Sequence, residues 1–354
     1  MNLDHSLASI AGLRQFDAII DARSPSEFAH DHLPGAINCP VLNDEERARV
    51  GTLYKQVSPF EARKVGAALV AINVAHHIQA QFAKHPRGWT PLIYCWRGGQ
   101  RSGAFSHILR QVGWPAQRLE GGYKAWRSFV MTALTQMPEQ FHFEVVSGPT
   151  GCAKTRILHA LAEQGEQVLD LEGLAAHKGS VLGELPTTPQ PSQKMFDTLL
   201  LDQLARLDPA RTVYVEAESK RIGQIQLPDA LFEVMNKSPW LSVNASLQAR
   251  VDFLLTDYAY WLDDPQLLTH LDRLKPNCGN EQVAHWQSLV AKRDFATLVS
   301  ELLTQHYDHF YKRSLRHAQS DAPDARMFST DDLSPQSITV LAQRIAHSPV
   351  LNTA

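Results

Sequence analysis

The stretch Tyr94–Ser102, YCWRGGQRS, puts one thiol, Cys95, at the end of the short apolar run Leu92-Ile93-Tyr94. Gly98 and Gly99 follow, flanked by Arg97 and Arg101. A strand end that runs into a glycine-rich loop and then a helix turns a ring of backbone N–H groups toward one point. Those donors, the positive end of the helix and the guanidinium groups favour the thiolate form of a sulfur held there. Gly98, Gly99, Gln100 and Ser102 complete a cradle for an anion. The chemistry is that of a nucleophilic cysteine that accepts an anionic group, or a sulfur or selenium atom, and passes it on. A cysteine at a strand end is by itself more often structural, but two glycines and two arginines are poor choices for packing a core.

A second loop, GPTGCAKT (148–155), follows the apolar run FEVVS and precedes a helical pattern through Ile157, Leu158 and Leu161. It is similar to a Walker A loop, except that Ala153 stands where a glycine normally precedes the lysine. Gly148, Thr150 and Gly151 offer backbone N–H groups to a diphosphate, Lys154 neutralises it, and Thr155 is placed to ligate Mg²⁺. The motif specifies a diphosphate-bearing ligand without choosing which. Cys152 inside it reads as a small filler. Glu216 and Glu218 end the strand pattern TVYVEAES, where a metal-directing or basic carboxylate would stand. The segment DLEGLAAHKGS (170–180) adds Asp170, Glu172, His177 and Lys178, and Lys220-Arg221 follows in ESKRIG. Any polar surface loop would carry such residues, so each of these counts less than the two loops.

Stepping outward to the elements that hold these loops, short buried strands alternate with helices through the first half. AIID is a strand; Ser24, Pro25 and Glu27 predict a helix start; INCPV and LIYC are further strands. Val65, Leu69, Ile72, Ala75, Ile78 and Phe82 recur at helical spacing. A helix after the thiol loop ends at Gly113 and Pro115. Periodicity fades over 131–141. The division predicted is a first domain over 1–135 and a P-loop-containing domain over 141–354. Both are α/β with mainly parallel sheets, the second with a helical C-terminal part from about Ala245. Within it QVLDLEG and TVYVEAES are the two strands expected after the P-loop. GELPTTPQPSQ (183–193) reads as a loop.

The 354 residues suffice for two cores, with 44% hydrophobic and 20% charged residues and a net charge of −3. That balance excludes a chain that coats nucleic acid through global basic charge, leaving only local patches. Candidates are Lys220-Arg221, YKRSLRH (311–317) and Arg63-Lys64, with Tyr258, Tyr260, Trp261, Tyr307 and Tyr311 able to stack an unpaired base; core packing is the commoner role for such aromatics. Cys39, Cys95, Cys152 and Cys278 show no CxxC spacing, which predicts neither a zinc site nor a disulfide scaffold and points to a reducing, cytoplasmic setting. No apolar run reaches the ~18 residues of a membrane span, and no secretion signal is read at the start.

DARSPSEFAHDHLPGAINCP, YCWRGGQRS and LEGGYKAW resemble, in order, the landmarks of a rhodanese domain, which carries sulfur on a cysteine as a persulfide. Arg101 lies six positions after Cys95, one more than in small rhodaneses. That spacing resembles the one of rhodanese-fold phosphatases, but Tyr94 replaces their usual histidine and the loop has no acid. Together with residues 42–67, DLEGLAAHKGS and ESKRIG, nearly the whole chain resembles the tRNA 2-selenouridine synthase family. The resemblance implies replacement of sulfur by selenium in a wobble 2-thiouridine of tRNA, with selenophosphate as donor and an S-geranyl intermediate made from geranyl diphosphate. Cys95 with Arg97 and Arg101 would serve selenation. The P-loop would hold the diphosphate of geranyl diphosphate, with ATP as the competing ligand, and no tightly bound cofactor is expected. Gly66 falls in a segment the family links to geranyl transfer, although a glycine in a helical pattern is more often there for packing. Lys178 stands where the family pattern has arginine, keeping the charge without the bidentate fork. The rival readings are a rhodanese-type sulfurtransferase with a nucleotide-binding partner domain, a phosphatase or kinase-like signalling protein, and a non-catalytic RNA adaptor.

Overall fold

The computed structural model describes residues 7–309, 311 and 326–348. It divides into two compact units, one formed by the residues up to Ala133 with Lys194–Asp202, the other by Leu134–Gln193 with the chain from Gln203 onward.

The first unit is built on a five-stranded, all-parallel sheet. Its strands are β1 (Leu7–Ala8), β2 (Ala18–Asp21), β3 (Ala36–Asn38), β4 (Pro91–Tyr94) and β5 (Gln117–Leu119), in the order β1-β5-β4-β2-β3. All four residues of β4 are buried, as a central parallel strand covered on both faces must be. The helices are α1 (Pro25–His30), α2 (Asp44–Gln56), α3 (Pro59–His77), α4 (Gln100–Val112) and α5 (Gly122–Gln136). Their ends follow local chemistry. The Ser24 N–H donates to Glu27 at the start of α1 (3.3 Å), and Asn43 and Glu46 satisfy each other's N–H groups at the start of α2 (2.8 and 2.9 Å). Gly113, at φ +110°, ends α4 in the left-handed region. The fading periodicity over 131–141 is only partly a break, since α5 continues to Gln136.

The second unit carries β6 (His142–Ser147), β7 (Gln167–Leu169), β8 (Thr212–Glu216), the antiparallel pair β9 (Arg221–Ile222) and β10 (Ile225–Gln226), β11 (Trp240–Ala245) and β12 (Arg326–Thr330). Its main sheet is parallel, in the order β12-β11-β6-β8-β7. The chain leaves β6 toward β7 on one side and later fills β11 on the other, so the strand order reverses at β6. Such a switch point leaves a crevice at the carboxyl ends of the strands, and the P-loop follows β6. The helices are α6 (Lys154–Glu163), α7 (Leu171–Ala175), α8 (Gln193–Leu204), α9 (Asp229–Lys237), α10 (Leu247–Asp257), α11 (Gln266–Asp272), α12 (Lys275–Cys278), α13 (Asn280–Ala291), α14 (Phe295–Leu302) and α15 (Pro335–Ala346); α8 lies mostly in the segment that packs with the first unit.

Two expectations need correction. The C-terminal part is not purely helical: β12 pairs with β11 along five residues, and β11 itself precedes the helical run. Both strands are hard to see because Ser242, Asn244, Arg326 and Ser329 interrupt their apolar character. The single helix expected over 245–262 ends at Asp257, whose carbonyl oxygen accepts from Lys178 Nζ at 2.6 Å.

Candidate functional site

The thiol loop is built from behind. Asp21, at the end of β2, lies in register with Tyr94 of β4, directly before Cys95. Its carboxylate takes a forked pair of hydrogen bonds from buried Arg23 (3.0 and 2.6 Å), which also donates to the Asp31 carbonyl (2.6 Å). The guanidinium lies over the Tyr123 ring at 3.9 Å and the Tyr94 ring at 5.5 Å. Tyr123 donates its hydroxyl to Asp31 at 2.7 Å, and Tyr94 accepts the Leu33 N–H at 3.2 Å. In front of this block, the first turn of α5 holds the loop backbone: Tyr123 N–H donates to the Cys95 carbonyl and Lys124 N–H to the Trp96 carbonyl, each at 2.9 Å. Gly122 makes that approach possible. At φ +60°, a Cβ on it would meet the Cys95 carbonyl oxygen at 2.3 Å and the Gly98 nitrogen at 2.4 Å. The LEGGYKAW landmark is therefore the clamp on the thiol loop.

Cys95 is 3% exposed, with Sγ 3.1 Å from Ser102 Oγ in the first turn of α4. Gly98 sits at φ +66°, and Gly99 precedes Gln100, the first residue of α4. The two arginines separate. Arg97 is exposed, and the structure gives it no ion pair among the described residues. Arg101 is tied to Glu27 at 2.7 Å. Burial alone would push the Glu27 carboxyl up, but the Arg101 guanidinium outweighs it and holds it below the usual carboxylate range. Gly66 lies on the buried face of α3, where a Cβ would reach Val50 of α2 at 3.5 Å, ordinary contact distance. That is the packing role of a helix-pair glycine.

In the second unit the loop between β6 and α6 wraps as its motif requires. Gly148 lies so close to β11 that a Cβ would meet the Val243 carbonyl oxygen at 2.4 Å. Gly151, at φ +85°, packs on Leu254 of α10. Ala153 adopts φ +57°, ψ +30°, the left-handed conformation that a glycine normally supplies there. Its methyl is buried in the core that also holds Cys152. Arg250, also nearly buried, donates to the Thr150 carbonyl at 2.8 Å and pairs with Asp308 at 2.6 Å, bracing the loop. An arginine on the apolar stripe of α10 was the signal for it.

Lys154 Nζ donates to the Gly148 carbonyl at 3.1 Å. Thr155 Oγ1 lies 2.8 Å from Glu172 and 2.9 Å from Glu216, which stands at the end of β8 beside Val146. A Cβ on Gly179 would touch both Glu172 and Glu218, at 2.8 and 2.9 Å, so three carboxyls converge. Burial and the neighbouring Glu172 and Glu218 charges push Glu216 well above the usual range. Burial and Glu172 push Glu218 up to about 8, and burial raises Glu172 against the pull of Lys154. Asp170 caps α7 through the Gly173 N–H (2.6 Å) and receives His159 at 2.8 Å. The stretch 171–175 is thus a capped helix, not open loop.

Lys178 reaches Asp257 Oδ2 at 2.5 Å and lies 4.2 Å from the Tyr258 ring centroid. Burial favours a neutral Asp257, but Lys178 and Arg156 hold its carboxyl below the usual range. His177 is buried, and burial pushes its imidazole down. These side chains line a cavity of about 610 Å³ that runs from the P-loop to Asp257 and Tyr258. Lys220 and Arg221 are exposed outside it, Lys220 paired with Asp229 at 2.6 Å. Trp261 is core, and Tyr258, Tyr260 and Tyr307 pack against the same helical cluster. Arg63 is exposed and Lys64 pairs with Glu61 (2.7 Å). Of the basic run 311–317, only Tyr311 lies within the described residues.

Two family models match this chain. The model described as a rhodanese-like domain covers residues 6–129, and the tRNA 2-selenouridine synthase AAA domain covers 141–270. A tRNA 2-selenouridine synthase of Marinobacter nauticus is 33% identical over 336 residues, 86% of this chain and 89% of that one. The chain belongs to the tRNA 2-selenouridine synthase family. Another protein of that name, from Nitrosomonas europaea, is 39% identical over 68% of this chain and 63% of its own, so the chain spans just under two thirds of that relative. A third, from Cupriavidus pinatubonensis, is 37% identical over 75% of this chain and 71% of its own. The fold expected from the sequence, a rhodanese-like domain followed by a P-loop α/β domain with helices toward the C-terminus, is the fold of this family member. The thiol loop falls within the rhodanese match, and the P-loop, Lys178 and Glu216 fall within the other. Among the described residues no helix is long and apolar enough to cross a membrane.

Proposed function

We propose that this chain is an enzyme that converts a wobble 2-thiouridine of tRNA to 2-selenouridine, taking selenium from selenophosphate and passing through an S-geranyl intermediate made from geranyl diphosphate. The observation that carries the reading is the pairing, on one family member, of a braced thiol loop with a phosphate-binding loop. In the first step the thiocarbonyl sulfur attacks C1 of geranyl diphosphate. A C–S bond forms, the C–O bond breaks and diphosphate departs. The N–H groups of Gly148–Thr155 and the ammonium of Lys154 are suited to the charge that develops on the leaving diphosphate. In the second step a selenium nucleophile adds at C2 of the base and geranylthiol leaves. Cys95, with Arg97 beside it, is suited to hold the donor or carry selenium, and Arg101 would join by releasing Glu27.

Mg²⁺ fits the P-loop in one respect: Thr155, Glu172 and Glu216 present only oxygens, and buried carboxyls in excess. No three His, Cys, Asp or Glu side chains among the described residues form a cage by themselves, so a cation there would also need oxygens of the bound diphosphate. Thr155 and Glu216 would hold it, and its charge would help neutralise that diphosphate.

The test uses purified protein and tRNA carrying the 2-thiouridine, with geranyl diphosphate, with or without selenophosphate, followed by nucleoside mass spectrometry. Expected are geranyl-thiouridine without the donor, selenouridine with it, loss of only the second step in Cys95→Ala and of the first in Lys154→Ala. An unchanged nucleoside, with Cys95 taking sulfur from thiosulfate, would replace this reading by that of a sulfurtransferase.

A further inference from the structure

Beside the P-loop cavity lies a second, smaller one of about 70 Å³, enclosed by α10, α14 and the turn that follows α10. The two share a wall: Thr150, Ser180, Leu254, Tyr258 and Tyr307 line both. Beyond that wall the lining is hydrocarbon, with Leu267, Phe295, Leu298 and Leu302 at its centre. Trp261 also faces it, but its indole N–H already donates to the Leu182 carbonyl at 3.1 Å. Leu254 packs directly on Gly151, so the apolar wall begins where the phosphate-binding backbone ends.

We propose that this cavity receives the hydrocarbon tail of a prenyl diphosphate whose diphosphate lies in the P-loop. The inference rests on the diphosphate reading of that loop and goes on to specify what the diphosphate is attached to. A nucleotide base placed here would bury its ring nitrogens and exocyclic groups with no partners beyond Thr150 and Ser180 at the mouth, which is costly. An alkenyl chain needs none. The size selects chain length. At roughly 10–15 Å³ for each water-sized group, 70 Å³ has room for about five to seven such groups, close to the five carbons of one isoprene unit. The proximal unit then passes the shared wall at Leu254 and Tyr258, and the distal unit fills the cavity. A one-unit chain stops at the wall, and a three-unit chain overfills the space.

The experiment is a calorimetric binding series on the full chain with Mg²⁺ present: inorganic diphosphate, then dimethylallyl, geranyl and farnesyl diphosphates, and ADP. Geranyl diphosphate is expected to bind about 100-fold more tightly than inorganic diphosphate, with the one-unit chain between them. Leu302→Trp, which fills the cavity, should bring geranyl diphosphate down to the level of inorganic diphosphate while leaving the latter unchanged, a built-in check that the P-loop is folded. Leu302→Ala should move the preference toward the farnesyl chain, so the inference does not hang on one bulky variant. Equal binding of inorganic and geranyl diphosphates would overturn the tail site and leave the diphosphate reading standing. Failure of every diphosphate, inorganic included, would remove the diphosphate reading and the tail site with it. ADP binding more tightly than geranyl diphosphate would also overturn the proposal.

Discussion

Replacing Gly122 by alanine should dismantle the thiol loop without touching the thiol. The new Cβ would lie 2.3 Å from the Cys95 carbonyl oxygen and 2.4 Å from the Gly98 nitrogen, both backbone atoms that no side-chain rotation can move aside. Relief requires α5 to withdraw. That breaks the hydrogen bonds from Tyr123 and Lys124 to the carbonyls of Cys95 and Trp96, each worth about 1 kcal/mol. The residue must also hold φ +60°, which costs an alanine about 1–2 kcal/mol. The sum is roughly 3–4 kcal/mol, or about 10 °C in the melting of the first unit. Calorimetry measures that, and peptide mapping after timed iodoacetamide treatment measures exposure of Cys95, which should alkylate faster as the clamp opens. Gly99→Ala is the control: its φ is −88° and nothing lies within 4 Å of a Cβ there, so it should melt like the wild type. A Gly122→Ala protein that melts within 2 °C of wild type, with Cys95 as slow to alkylate, would refute the argument.

Other outcomes follow from the same geometry. Ala153→Gly removes about 1–2 kcal/mol of left-handed strain but also loses a buried methyl worth about 0.8 kcal/mol and loosens the unfolded chain by about 0.4–1 kcal/mol. Chemical denaturation should find the change within about 1 kcal/mol of zero, and a loss above 2 kcal/mol would show that the strain is absent. Glu172, Glu216 and Glu218 have raised folded pKa values, Glu218 at about 8, against 4.5 for an ordinary glutamate. The folded form therefore holds more protons than the unfolded one between those values, so the unliganded protein loses stability as pH rises through that window. Glu218→Gln should flatten the profile, and stability that rises with pH there would contradict the assignment. Glu27→Gln frees the Arg101 guanidinium from its carboxylate, so inorganic phosphate should bind the thiol loop a few-fold more tightly by calorimetry; unchanged or weaker binding would show that Arg101 does not face the anion.

Much of this was legible in the sequence because both loops announce themselves by type and spacing. Cys95, the glycines behind it, Lys154 and Thr155 stand where strand–loop–helix logic puts them, and Ser24 with Glu27 starts a helix as its pattern says. What escaped depends on partners distant in the chain. Arg101 reads as part of an anion cradle, but Glu27 lies 74 positions away and claims it. Lys178 reads as one more charge in a polar stretch; only the fold brings it to Asp257, 79 positions on, where it also ends a helix. Glu216 and Glu218 were placed correctly at a strand end, yet their convergence on Glu172 and Thr155 joins three separate elements. The strands Trp240–Ala245 and Arg326–Thr330 were missed because a parallel edge is fixed by its neighbour as much as by its own residues.

The block behind Cys95 bears on how this loop can change over evolutionary time. Asp21, Arg23, Asp31, Tyr94 and Tyr123 satisfy one another away from water. Removing one member strands a charge or a hydroxyl in the interior, so single substitutions here are strongly selected against. Tyr94 occupies the position where rhodanese-fold phosphatases place histidine, and in this chain it is committed to the block, its hydroxyl on the Leu33 N–H and its ring near Arg23. A lineage with this interior could reach phosphatase chemistry only by exchanging several buried residues together. The barrier between the two chemistries therefore lies beneath the loop, in residues that no substrate touches.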